Sequence, residues 1–167
     1  MGITPEDEIG KTFFENSLQK ARVANTASGK LSLGDDSGLI VPALNNLPGL
    51  RSARYAHENA TDEENRKHLK KELKKLELNH ATAYFVCVLV LVQTSADPFP
   101  LVATGLLEGS VKTTIKGANG FGYDSMFYPK GSDMSLGEMG ADEKALLSHR
   151  GKAIQILKRK IEGFASE

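Results

Sequence analysis

The chain predicts an α/β or α+β domain around a mixed sheet, on three observations. Residues 81–92 are apolar on both alternations, Tyr84, Val86, Val88 and Val90 against Phe85, Cys87, Leu89 and Leu91. That is the pattern of a strand covered on both sides at the centre of a sheet. Thr12-Phe13-Phe14-Glu15 and Thr61-Asp62-Glu63-Glu64 have the Thr-x-x-Glu form of a capping box, so a helix is expected to open at each. Asp97-Pro98-Phe99-Pro100 then turns the chain from the apolar run into residues 101–106, a neighbouring strand, which suggests a hairpin.

The elements follow in order. After the first capping box, Phe14, Leu18 and Ala21 recur at helical spacing until Gly29 offers a stop. Residues 31–33 read as strand, with Leu31 and Leu33 on one face and Ser32 on the other, and Gly34-Asp35-Asp36-Ser37-Gly38-Leu39 is expected where that strand ends in a turn. Leu47-Pro48-Gly49-Leu50 marks a second turn, before a polar loop carrying Ser52, Arg54 and Tyr55. The second helix has Leu69, Leu73 and Leu76 as its apolar stripe. Its lysines 67, 70, 71, 74 and 75 are interleaved with Glu63, Glu64, Glu72 and Glu77, which describes a solvated face rather than a nucleic-acid patch. Residues 116–128 are glycine-rich, aromatic and too irregular for one element. Residues 142–164 read as helix, with Ile154, Leu157 and Ile161 as the buried stripe and Gly151 as an interruption near its start.

Composition narrows the class. The chain has 167 residues, 40% hydrophobic, with a formal net charge of zero. It is long enough for one well-cored domain over residues 1–167 and lacks the basic signature of a nucleic-acid binder. Its most apolar stretch is about the length of one buried strand, too short to span a bilayer, and no signal-peptide pattern opens the chain. The single cysteine, Cys87, lies inside that stretch, as a buried small hydrophobe in a reducing compartment would, so a cytoplasmic protein is expected. The four histidines are scattered, without zinc-ligand spacing.

Three segments carry chemistry. Two adjacent carboxylates, Asp35 and Asp36, are costly unless something cationic sits on them, most simply Mg²⁺. Strand alternation lets only one of them face a given site. The alternative is a turn whose aspartates bond nearby backbone N–H groups. Gly120-Phe121-Gly122-Tyr123-Asp124 places two aromatics and a carboxylate among glycines, a composition suited to stacking a flat ring and bonding its edge, although Tyr123 is equally an ordinary core residue. Ser148-His149-Arg150-Gly151, with Lys144 four residues before the serine, gathers donors and cations at a helix start, to receive an anion or a carbonyl-bearing ring; the alternative is an N-cap with solvated charges.

Taken in order, Phe13-Phe14-Glu15-Asn16-Ser17, Asp35-Asp36-Ser37-Gly38-Leu39, Leu47-Pro48-Gly49 with Ser52-Ala53-Arg54-Tyr55, Phe121-Gly122-Tyr123-Asp124, Glu143-Lys144 and Ser148-His149-Arg150-Gly151 resemble the inosine/xanthosine triphosphate pyrophosphatase family. The resemblance runs from about Glu8 to the C-terminal helix. It implies an elongated mixed α/β structure with two lobes around a nucleotide cleft, a homodimer, and Mg²⁺-dependent hydrolysis of deaminated purine nucleoside triphosphates to the monophosphate and pyrophosphate. By position, it implies Asp36 as general base and metal ligand, Glu8 as a second metal contact and Ser37 as a substrate contact. Phe121, Gly122, Tyr123 and Asp124 line the base pocket in the same comparison, Lys144 approaches the nucleotide, and His149 with Arg150 reads the six-position oxygen. Two departures stand out. Ser125 replaces the family's usual proline, and the family's opening strand with its Thr/Ser-Gly-Asn-x-x-Lys loop has no counterpart after Met1-Gly2-Ile3-Thr4-Pro5. The expectation is therefore an N-terminally shortened pyrophosphatase. The alternative is a catalytically impaired nucleotide-binding or dimerisation remnant of that family.

Overall fold

The computed structural model describes residues 10–164. Helix α1 (Phe13–Ser28) leads into strand β1 (Ser32–Ile40), helix α2 (Asp62–Lys75), strand β2 (His80–Val92), strand β3 (Leu101–Lys112), the short strand β4 (Phe127–Pro129) and helices α3 (Ala141–Leu147) and α4 (His149–Phe164). The expected mixture of helices and strands holds, and the four strands form one antiparallel sheet in the order β1-β2-β3-β4. β2 is an interior strand, and from Cys87 to Val90 it is buried on both faces, as its unbroken apolarity requires. β3 runs six residues beyond the expected strand and pairs antiparallel with β4, Gly109 opposite Pro129 and Val111 opposite Phe127.

The chain divides into two compact units. Among the described residues, 10–37, 87–105 and 149–164 make the first; residues 38–86 and 106–148 make the second. The first unit buries Cys87, Leu89, Ala103, Ala153 and Leu157 together, and the second has the larger core, including Leu39, Leu69, Leu73, Phe85, Met126, Phe127 and Leu136.

In the first unit the start of α1 obeys local chemistry, but the buried faces differ from expectation. Thr12 caps α1 by accepting from the Glu15 N–H, and Glu15 answers by accepting from the Lys11 N–H; Gly29 ends the helix in the left-handed region at φ 65°. Its buried face is Asn16, Ser17, Ala21 and Asn25, while Phe14 is exposed. β1 correspondingly turns Ser32, Gly34 and Asp36 inward and leaves Leu31 and Leu33 outward. One contact explains both reversals. A Cβ on Gly34 would stand 1.9 Å from the Ser17 carbonyl oxygen, so strand and helix meet backbone to backbone and only small or hydrogen-bonding side chains fit the seam. The acidic pair does not end the strand either. β1 runs on to Ile40, because each carboxylate is neutralised within the sheet by a cation from a packed helix.

The C-terminal helical segment breaks at Ser148, in extended conformation, and Gly151 lies inside α4 without interrupting it. Ala153 and Leu157 are its buried apolar residues, with Ile154 and Ile161 exposed, because α4 crosses β3 where a Cβ on Gly105 would strike the His149 carbonyl and the Ala153 N–H. That crossing sets which stripe faces the sheet. In the second unit α2 opens with a complete capping box, Thr61 with Glu64, and buries Asn65, Leu69 and Leu73; Leu76 lies past its end and is exposed.

Candidate functional site

The first group of site residues lies in the first unit. Alternation along β1 sends Asp35 and Asp36 to opposite faces, as expected. α1 meets the Asp36 face through Asn16 and Lys20, one helical turn apart. Lys20 Nζ donates to Asp36 Oδ1 at 2.8 Å and Asn16 Nδ2 donates to Asp36 Oδ2 at 3.2 Å. Asp36 is 6% exposed, a carboxylate that burial would penalise heavily without such partners. Lys20 also donates to the Asp35 carbonyl at 3.3 Å, tying the helix to the strand backbone.

On the opposite face, the first turn of α4 brings Arg150 to Asp35, with Nε donating to Oδ2 at 2.7 Å. Ser37, two residues along the strand, donates from Oγ to Asp35 Oδ1 at 2.8 Å. Burial by itself raises the Asp35 carboxyl, but the hydrogen bonds from Arg150 and Ser37 and the charges of Arg150 and His149 together outweigh it and hold the group below its ordinary value. Cys87 lies beside the pair, its Sγ 3.8 Å from Asp35 Oδ1. Burial, with the Asp35 charge adding to it against the Ser37 hydrogen bond, pushes its thiol up to about 11. Cys87 is therefore a packed thiol, as the sequence indicates. Asp36 and His149 are buried here; Ser37 and Arg150, expected as substrate contacts, both have bonds to Asp35.

The second group lies in the second unit. Asp124, 4% exposed, accepts at Oδ2 from the Phe121 N–H at 2.9 Å and from Lys144 Nζ. The Lys144 ammonium also stands 4.9 Å from the centre of the Phe121 ring, within cation–π range. Gly120, at φ 82°, leaves no room for a Cβ, which would meet Asp124 Oδ2 at 2.2 Å and Lys144 Nζ at 2.6 Å. Phe121 itself is 61% exposed, an aromatic face presented rather than packed. Tyr123 points the other way. It is a core residue whose hydroxyl donates to the Ser52 carbonyl at 2.8 Å, and burial pushes that hydroxyl well above its ordinary pKa. Ser125, in place of the family's proline, is buried, and its carbonyl accepts from the Lys116 N–H at 2.8 Å.

Sequence reasoning missed four residues here: Asn16 as a partner of Asp36, Lys20, Asp62 and Arg66. The i, i+4 spacing of Asn16 and Lys20, and of Asp62 and Arg66, was visible, but not which strand or loop each pair would meet. Glu8, the expected second metal contact, lies outside the described residues.

A hard divalent cation is tested by the donor set. Mg²⁺ takes oxygen ligands and is usually held by one or two carboxylates, with water and phosphate oxygens completing its shell. Asp36 supplies such a carboxylate, already meeting a cation. Among the described residues no three His, Cys, Asp or Glu side chains gather into a cage. An ion at Asp36 would share that carboxylate with Lys20 and Asn16 and would need water and phosphate oxygens to complete its shell.

Comparison with known proteins gives a consistent result. The chain is 42% identical over 158 residues, 95% of its length and 81% of the other's, to a Legionella pneumophila (strain Paris) protein named dITP/XTP pyrophosphatase. It is 44% identical over 161 residues to a protein of the same name from Haemophilus influenzae, covering 96% of this chain and 83% of the relative. Among solved structures, a HAM1 protein from Coxiella burnetii superposes with a TM-score of 0.89 at 39% identity, over 96% of this chain and 82% of that one. The Ham1 protein of Staphylococcus aureus superposes at 0.84 and 38%, over 94% and 80%. The Ham1 family pattern itself matches residues 1–160, and with relatives at this identity and coverage the chain belongs to the Ham1 family.

Proposed function

We propose that this chain hydrolyses deaminated purine nucleoside triphosphates, ITP, dITP and XTP, to the monophosphate and pyrophosphate, clearing them from the nucleotide pool. Relatives named dITP/XTP pyrophosphatase match it over nearly its whole length, which favours an active enzyme over an impaired remnant. The observation that carries the reading is Asp36, a buried carboxylate held at both oxygens by Asn16 and Lys20. In the proposed reaction Asp36 orients a water and takes its proton as the water oxygen bonds to the α-phosphorus. The bond from that phosphorus to the bridging oxygen breaks, and its electron pair leaves with pyrophosphate. Mg²⁺, when bound at Asp36 with Glu8 as a second contact, neutralises phosphate charge.

Base recognition falls to Phe121 for stacking, Gly122, Tyr123 and Asp124 for shaping that segment, Lys144 for contact with the nucleotide, and His149 with Arg150 for the six-position oxygen. Donors at that edge favour an oxo over an amino group, since a donor facing a donor leaves both unsatisfied. Ser37, on the Asp35 face of β1, serves as a further substrate contact. The assembly proposed is a homodimer, acting in the cytoplasm where the nucleotide pool lies. No helix among the described residues is long and apolar enough to cross a membrane.

The test is pyrophosphate release from ITP, XTP, dITP, ATP and GTP, with Mg²⁺ and after chelation. The expected outcome is rapid release from the first three, slow release from ATP and GTP, and loss on chelation restored by Mg²⁺. Release of orthophosphate, or equal rates on ATP and ITP, would overturn the reading; indifference to chelation would remove the metal from it.

A further inference from the structure

We infer that Asp62 and Arg66 are positioning residues for the exposed Phe121 ring, acting by gripping the two peptide groups that flank the Gly122 α-carbon. Asp62 Oδ2 accepts from the Gly122 N–H at 2.6 Å, and Arg66 NH1 donates to the Gly122 carbonyl at 2.6 Å. Both bonds are charge-assisted and short, the stronger class of hydrogen bond. They come from one face of α2, one turn apart, on a helix whose start is locked by the Thr61–Glu64 capping box. The Arg66 Nε is shielded from solvent, so the guanidinium is drawn into the protein rather than left in water.

Gly122 needs such a grip. It sits at φ 58° with nothing within 4 Å of the place a Cβ would occupy, so neither a side chain nor a wall restrains it. A glycine in open space carries the most conformational freedom of any residue. Its neighbour Phe121 is 61% exposed and gains little from packing. Asp124 and Lys144 steady the N-terminal side of that ring through the Phe121 N–H and the cation over the ring. On its C-terminal side the Asp124 N–H donates to the Phe121 carbonyl at 3.2 Å, and beyond it stand the two bonds to Gly122 and the Tyr123 hydroxyl on Ser52. Without the grip, a flat ring in this segment loses the fixed orientation that stacking on a purine requires.

The chain contains no tryptophan, so Phe121→Trp places a single indole at the position in question. In that background, Arg66→Met and Asp62→Ala should each raise acrylamide quenching and lower the steady-state anisotropy of the introduced indole, and Arg66→Lys, which keeps a donor, should restore most of both. Unchanged helix content by circular dichroism shows that α2 is intact. With Phe121 in place, the same two losses should raise KM for ITP about tenfold and leave kcat within about twofold, the pattern of a lost ground-state and transition-state contact alike. Quenching and anisotropy unmoved by both losses would overturn the inference whatever the activity, as would a mobile indole accompanied by an unchanged KM. The role in base binding rests on the proposed function. Should the parent chain fail to turn over ITP, that function falls, while the fluorescence measurements still decide whether Asp62 and Arg66 hold the segment.

Discussion

Arg150 Nε donates to Asp35 Oδ2 at 2.7 Å across 115 residues of chain, joining the first turn of α4 to the middle of β1. The partners are 38% and 33% exposed, so solvent screens the pair, and Asp35→Asn should cost about 0.5–1 kcal/mol. Its larger effect falls on the orientation of Arg150. Both Arg150→Ala and Asp35→Asn should narrow the ratio of ITP to ATP turnover, the first by removing the donor and the second by releasing it. Equal loss on the two substrates would assign Arg150 to the phosphates or the fold instead. The pH dependence has a definite sign. Asp35 has a lowered folded-state pKa, so its contribution is present above the ordinary carboxylate value of about 4 and is lost as pH falls through the lower folded one. Urea unfolding should therefore show a shallower acid loss of stability in Asp35→Asn than in the parent.

Asp36→Asn should lower ITP turnover by about a hundredfold or more, the scale of a lost general base, and lower the melting temperature as well. The amide keeps the shape but accepts from only one of Asn16 and Lys20 and turns its own donor toward the other, so turnover is compared at a temperature where circular dichroism shows the variant folded. Unchanged turnover would remove Asp36 from the chemistry.

Gly34→Ala should destabilise the chain by about 3 kcal/mol or more, because the added methyl meets backbone at 1.9 Å and neither strand nor helix can yield by rotamer change. Gly163→Ala is the contrast. It lies in α4 with open space around it and no left-handed φ, so the same change should stabilise by about 0.5–1 kcal/mol through helix propensity. Chemical denaturation of both variants checks the pair.

Cys87 should resist iodoacetamide at neutral pH in the folded protein and react on unfolding, since it is fully buried and its thiol is pushed up to about 11. Alkylation in urea followed by mass spectrometry reads the exposure directly. Rapid labelling of the native chain would show the first unit opening at Cys87.

Much of the secondary structure was fixed locally. The capping boxes at Thr12 and Thr61, the glycine stop at Gly29 and the unbroken apolarity of residues 81–92 each depend on neighbours within a few residues, so the sequence alone determined α1, α2 and the central strand. The ordered motifs also determined the family, because they recur along the chain irrespective of packing. Which faces are buried was settled only in three dimensions. Leu31, Leu33, Ile154 and Ile161 have the right periodicity for buried stripes and lie outward, because backbone contacts at Gly34 and Gly105 reserve the inner faces for small residues. The same closeness decides the partners of the acidic pair. Alternation predicts that Asp35 and Asp36 part company, but that Asp36 meets Asn16 and Lys20 while Asp35 meets Arg150 follows from α1 and α4 lying on opposite faces of β1. A charge in a sequence has no partner until the fold brings one within about 4 Å, and the residues that do so here lie from 16 to 115 positions away.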